Sequence, residues 1–139
     1  MNSISTAIYS RGTASSNFNT SIGSRLYFVK APQNPVFPYV RYFLFNHSYD
    51  CFFNSVSDQT QAIDDITCQF NIHSNTINSS SEAGTILGYL ITQFNNYKLS
   101  ITGYNSHRMG LKNIFGPFWI EEDESWVYSI EFGVVIQKS

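Results

Sequence analysis

Between Arg25 and Asn46 the chain reads RLYFVKAPQNPVFPYVRYFLFN, and no other stretch limits the possible folds as strongly. Two apolar and aromatic runs, RLYFV and YVRYFLF, are separated by a segment carrying Pro32, Pro35 and Pro38. Each proline fixes its own φ and lacks a backbone donor, so the joint cannot run on as a ladder inside a sheet. Pro38 also biases Phe37 towards an extended conformation. In the second run Tyr39, Arg41, Phe43 and Phe45 share one face, and Val40, Tyr42, Leu44 and Asn46 share the other. Both faces are largely apolar, which predicts a strand with neighbours on both sides and cover on both faces. The other segments are expected to lie beside this strand or over it.

Before it, Asn2 to Tyr9 suits a short first helix, with Ser3 as N-cap and Ile4, Ala7 and Ile8 on one face. Gly12 to Ser24, rich in Ser, Asn, Thr and Gly, reads as a loop. After it, Asn46 to Gln61 reads as a long connection containing the apolar island Cys51, Phe52 and Phe53. Ile63 to His73 alternates strictly, with Ile66, Cys68, Phe70 and Ile72 opposite Thr67, Gln69, Asn71 and His73, as in a half-buried strand.

Ser79 with Glu82 three residues on fits a capping box, and Ala83, Leu87, Leu90, Ile91 and Phe94 follow at helical spacing. Gly84 and Gly88, four apart in that helix, would let another backbone approach closely. Asn95 and Asn96 end it. Lys98 to Tyr104 reads as a fourth strand, and Gly103 to Gly110 as a turn region or a continuation of it after a bulge. Leu111 to Ile120 is ambiguous, because Gly116-Pro117 divides it in two. Glu121 to Glu124 reads as an acidic turn and Trp126 to Ile136 as a strand of clean alternation. The expected architecture is α+β: one domain, 1–139, with an antiparallel sheet and, packed on one face, one long helix and a short N-terminal helix.

Composition narrows the function. Charged residues are 13% of the chain while aromatic residues are 17%, a surface poor in charge that suggests cover by partners. The formal net charge of −2, with Lys and Arg dispersed, argues against binding to nucleic acid through phosphate contacts. MNSISTAIYSRG lacks the charged and apolar regions of a secretory signal, and no apolar stretch is long enough to cross a membrane. Cys51 and Cys68 have no metal-type spacing and are expected as free thiols.

The motifs of chemistry are missing. His47, His73 and His107 stand apart, and no HxxxH, CxxC, GxSxG, Walker or GxGxxG pattern occurs. His73, on the polar face of its strand, reads as a solvated or interface histidine. No catalytic, metal-binding or cofactor-binding residue is therefore expected, and no cofactor. The dense charge feature is Glu121, Glu122, Asp123 and Glu124, either a solvated hairpin tip or a docking or pore-lining patch. These four, with Cys51, Phe52 and Phe53, are the candidate interface residues.

One resemblance runs through the chain in order. Ala7-Ile8-Tyr9, Ile22-Gly23-Ser24-Arg25-Leu26-Tyr27, Ala31-Pro32-Gln33 and Phe37-Pro38-Tyr39-Val40 open it. Ile66-Thr67-Cys68-Gln69-Phe70, Ser81-Glu82-Ala83 and Tyr128-Ser129-Ile130-Glu131-Phe132 follow. In this set the chain resembles the tail-completion, or tail-terminator, proteins of tailed bacteriophages and gene-transfer particles. The resemblance implies a non-enzymatic virion protein, assembled in the host cytoplasm into a homo-oligomeric ring, commonly a hexamer, at the head-proximal end of the tail. Its implied partners are the tail-tube protein and a head-closure or connector protein in the neck, with DNA passing through unbound and no membrane. The Cys51-Phe52-Phe53 island and the Glu121 to Glu124 run have no counterpart in that pattern. The alternatives are another neck protein, a small binding module with an aromatic pocket around Tyr39, Tyr42 and Trp126, or a hydrolase with an unrecognised site.

Overall fold

The computed structural model describes residues 2–50, 63–76 and 79–138. Helices α1 (Asn2–Gly12) and α2 (Asn17–Ile22) lead into strands β1 (Leu26–Phe28), β2 (Tyr39–Asp50) and β3 (Ile63–Ser74). Helix α3 (Ser81–Phe94) and strands β4 (Tyr104–Ser106), β5 (Gly110–Ile120) and β6 (Ser125–Lys138) complete the order. The strands form one sheet in the order β1-β2-β3-β6-β4, and β5 also pairs with β6. β1 runs parallel to β2 and the remaining pairs are antiparallel.

Alternation sets the two faces of this sheet. Val40 and Tyr42 of β2, Ile66, Cys68, Phe70 and Ile72 of β3, and Ile130, Phe132, Val134 and Ile136 of β6 are buried on one face. The helices cover that face. Ile4, Ala7 and Ile8 of α1, Phe18 and Ile22 of α2, and Ala83, Ile86, Leu90 and Phe94 of α3 complete the core. At its centre Phe70 meets Phe94 at 4.8 Å between ring centroids and Phe132 at 5.9 Å, the latter edge to face. Phe18 meets Phe94 at 6.3 Å, also edge to face. Such pairs each add about 0.5–1.5 kcal/mol beyond the area they bury. Tyr42 takes its hydroxyl to the helix layer, where it donates to the Ser5 carbonyl at 3.0 Å.

The architecture differs from the α+β expectation. The chain is mostly β, its sheet is mixed, and it carries three short helices with no long one. The expected loop before Arg25 contains α2, because Phe18 and Ile22, four apart, anchor six residues to the core. Local chemistry closes both ends of it. The Ser16 hydroxyl accepts from the Asn19 amide at 3.2 Å, and Gly23 ends the helix in the left-handed region at φ 57°. The ambiguous Leu111 to Ile120 segment is one strand, with a register shift between Phe115 and Phe118 that absorbs Gly116-Pro117. An edge strand tolerates a proline that a central strand would not. Lys98 to Tyr104, expected as a strand, makes isolated bridges at Lys98 and Ile101, and the ladder of β4 begins at Tyr104.

The sheet is also centred elsewhere. β3 is paired along both sides, by β2 and by β6, whereas β2 has β1 beside it over Val40 to Tyr42 alone. Period-two patterning reports which faces are apolar and carries little information about which edges are paired. The capping box does not form: Ser80 stands at the helix start without a side-chain cap, and Glu82 accepts from the Ser74 hydroxyl at 2.6 Å. Gly88 has open space around its Cα and Gly84 approaches only the Tyr128 hydroxyl, so neither admits a neighbouring backbone.

Candidate assembly surface

The face opposite the helices begins with Tyr39, Arg41, Phe43 and Phe45 of β2. Register places Thr67, Gln69, Asn71 and His73 beside them, then Gly133, Glu131, Ser129 and Val127. Its polar groups bond to one another across the strands. Arg41 Nε donates to His73 Nε2 at 3.1 Å, and the His73 ring stacks on Tyr39 at 4.5 Å. Gln69 donates to Asn71 Oδ1 at 3.0 Å, and the Ser129 hydroxyl donates to the same oxygen at 2.6 Å. Lys112 reaches across Gly133 to Thr67 Oγ1 at 3.2 Å, and Asn113 donates to Glu131 at 3.1 Å.

His73, expected as a solvated or interface histidine, is 3% exposed within the chain itself, because Arg41 and Tyr39 close over it. Burial, reinforced by the Arg41 charge, lowers its pKa to about 4, so it is neutral at pH 7. A group so acidic when protonated, with Nε2 already occupied, is a weak proton acceptor. Burial raises the Tyr39 hydroxyl above its ordinary pKa, opposed by Arg41, and pushes the buried Cys68 thiol far up, away from the reactive thiolate. The aromatic pocket suggested by Tyr39, Tyr42 and Trp126 does not form, since Tyr39 lies on the opposite face of the sheet from the other two. Among the described residues no group of His, Cys, Asp and Glu could hold a metal ion, and no helix is long and apolar enough to cross a membrane.

The unusual surface is at the edges. Every residue of β5 is exposed except Trp119, which is half-buried against Trp126 at 5.3 Å. Leu111, Ile114, Phe115, Phe118 and Ile120 present apolar side chains to solvent, and Phe118 is 50% exposed. The end of α3 reaches only the start of this strand, where the Leu111 amide donates to Asn95 Oδ1 at 3.2 Å, and, Trp119 apart, the side chains beyond it are exposed. The β5–β6 turn carries Glu121, Glu122, Asp123 and Glu124, all exposed, with Glu124 in the left-handed region at φ 49°. At the other edge Phe28, Val29, Val36 and Phe45 are exposed. A groove of about 680 Å³ there is lined by Tyr27, Lys30, Ala31, Pro32 and Gln33.

Of the candidate interface residues, the four acidic ones therefore sit at the tip of an apolar hairpin. Cys51, Phe52 and Phe53 lie outside the described residues. Sequence patterning leaves Leu111 to Ile120 ambiguous and does not mark it as a strand. Its signal was present: apolar residues at both parities, Ile114 with Phe115 and Phe118 with Trp119, in a strand with no second layer to bury both faces.

No family model matches the chain, and no curated protein matches it. Solved structures share its fold. One is a chain of the virion of a native gene transfer agent particle, with a TM-score of 0.73 over 95% of this chain and 92% of that one, at 13% identity. A second solved chain has a TM-score of 0.70 at 15% identity, covering 99% of this chain and 96% of its own length.

Proposed function

We propose that this protein is a structural, non-enzymatic subunit of a phage-like virion. In this reading it forms a ring, commonly of six copies, at the head-proximal end of the tail, ends polymerisation of the tail tube and joins the tail to the head connector. The observation that carries the reading is the exposed apolar edge strand β5, with a second apolar patch at the far edge of the same sheet. A monomer that works alone has little reason to expose both. The full-length fold likeness to a gene transfer agent virion chain supports the particle, and the ordered resemblance to tail terminators supports the place within it. A net charge of −2 suits a ring through which DNA slides without being held.

Mass spectrometry and immunogold labelling of purified particles test this directly. The protein is expected in the particle, labelled at the head–tail junction. Deleting its gene is expected to leave filled heads beside unjoined tails of irregular length. Unjoined tails of normal length would assign it instead to a neighbouring neck position, and its absence from particles would overturn the virion reading.

A further inference from the structure

A cleft of about 570 Å³ runs between α1 and the segment that joins α3 to β4. One wall is a stripe of α1. Ser3, Thr6, Ser10 and Arg11 recur along it at helical spacing, beside the Ile4 and Ile8 stripe that enters the core. The other wall carries Tyr97, Ser100 and Thr102. Leu99 and Ile101 are buried in that segment, so alternation turns Ser100 and Thr102 outward, and both are exposed. None of the lining residues belongs to β5, on which the virion reading rests.

Hydroxyls elsewhere on the helices turn back onto their own backbone. Thr13 donates to the Tyr9 carbonyl, Thr85 to that of Ser81 and Thr92 to that of Gly88. The hydroxyls lining the cleft make no such bond and have no hydrogen-bond partner among the described residues. Arg11 is held firmly between them. Its Nε donates to the Gln93 carbonyl at 2.9 Å, Gln93 Nε2 donates to the Arg11 carbonyl at 2.7 Å, and the guanidinium lies 3.7 Å from the centre of the Tyr97 ring. These contacts tie α1 to α3 and leave both Nη groups without a partner among the described residues. A fork fixed in this way loses little freedom when it meets an anion. The surrounding sequence favours one too. Both walls come from stretches, 1–49 and 83–120, that contain no Asp or Glu and hold every Lys and Arg except Lys138.

We propose that this cleft binds a small polyol bearing one oxyanion, either a phosphate or a carboxylate. The Arg11 Nη groups take the anion, and the hydroxyls of the two walls, each both donor and acceptor, pair with the hydroxyls of the ligand. The volume lies within the ~300–1,000 Å³ of small-molecule sites and is more than a bare ion fills, while the hydroxyl lining selects a polar ligand.

Titration of the full-length protein, followed by amide chemical shifts, tests the site. The probes are glycerol phosphate and glucuronate, with glycerol, glucose and inorganic phosphate as controls. At least one probe is expected to bind with a Kd on the order of 1 mM or tighter, at least about tenfold tighter than any control. The shifts should gather at residues 3–14 and 97–102. Ser100→Trp fills the cleft from an exposed position without touching the Arg11–Gln93 tie, and is expected to abolish binding while the protein stays folded by circular dichroism. Thr102→Trp, equally exposed, replaces it if that variant does not fold. Arg11→Lys keeps the charge but loses the fork, and is expected to weaken binding about tenfold. A merely structural Arg11 would lower the thermal midpoint in that variant and leave the affinity unchanged, which overturns the proposal. No shift at about 10 mM of either probe, a control that binds equally well, shifts centred elsewhere, or binding that survives the tryptophan overturns it too.

Discussion

Arg41, His73 and Tyr39 form a small stack on the polar face whose behaviour can be worked out residue by residue. The imidazole accepts from Arg41 at Nε2, so the neutral tautomer carries its hydrogen on Nδ1, and that atom finds no partner among the described residues. A proton added at Nε2 would displace the guanidinium and place two cations together. In the unfolded chain the same histidine titrates near 6.5, against about 4 in the folded protein. The unfolded state therefore binds more protons between these values, and unfolding gains on folding as pH falls through that window. The stability contribution is complete above pH ~6.5 and is lost towards pH ~4, by roughly 3 kcal/mol at most for a shift of this size. Urea unfolding of the wild type across this range should show the loss. His73→Gln, which can still accept from Arg41 but does not titrate, should flatten it; an unchanged slope would assign the pH dependence to other groups. That His73 is buried was not legible in the chain, because a polar residue on an alternating strand looks solvated until its cross-strand neighbours are known. The apolar half of the same strand was legible, from Ile66, Cys68, Phe70 and Ile72 alone.

At the scale of elements, the strands were easier to read than their neighbours. β6 and β3 follow from period-two patterning, and α1 and α3 from apolar residues at helical spacing. α2 was hidden because six residues of Asn, Thr and Ser composition look like a loop, and only the Phe18–Ile22 pair betrays the helix. β5 was hidden because Gly116-Pro117 resembles a stop. Gly116 is what allows the strand to continue. It sits at φ +115°, and a Cβ there would lie 2.8 Å from the Val127 carbonyl oxygen of the paired strand. Gly116→Ala should therefore weaken the β5–β6 hairpin by roughly 1–3 kcal/mol, combining backbone strain with a backbone clash. Gly88 makes the opposite case. It is exposed within α3 with nothing within 4 Å, so Gly88→Ala should stabilise by roughly 0.5–1 kcal/mol through helix propensity and a less mobile unfolded chain. Urea midpoints followed by the fluorescence of Trp119 and Trp126 would register both. If the two alanines shifted the midpoint in the same direction, the assignment of β5 as a strained but continuous strand would be wrong.

For the whole molecule, the sheet has a firm centre and unfinished edges, and function is read from that contrast. β3 is hydrogen-bonded on both sides and buried against α3, so its amides should open only with global unfolding. β5 is bonded on one side and exposed on both faces, so it should open locally at much lower cost. Hydrogen exchange of the free subunit should follow that order: β3 slowest, the inner β6 amides close behind, and β5 among the fastest of the ordered strands. Assembly should then change the pattern in one place above all. Apart from the Leu111 amide, which donates to Asn95 Oδ1, amides of β5 directed away from β6 have no partner strand among the described residues, and the proposed ring would supply one. Slowing of exchange at β5 and around β1, with β3 unchanged, is the signature expected of edge-to-edge closure. Slowing confined to the outer surfaces of α1 and α3 would mean that subunits meet through the helical layer, and the exposed edges would then have to belong to a different partner.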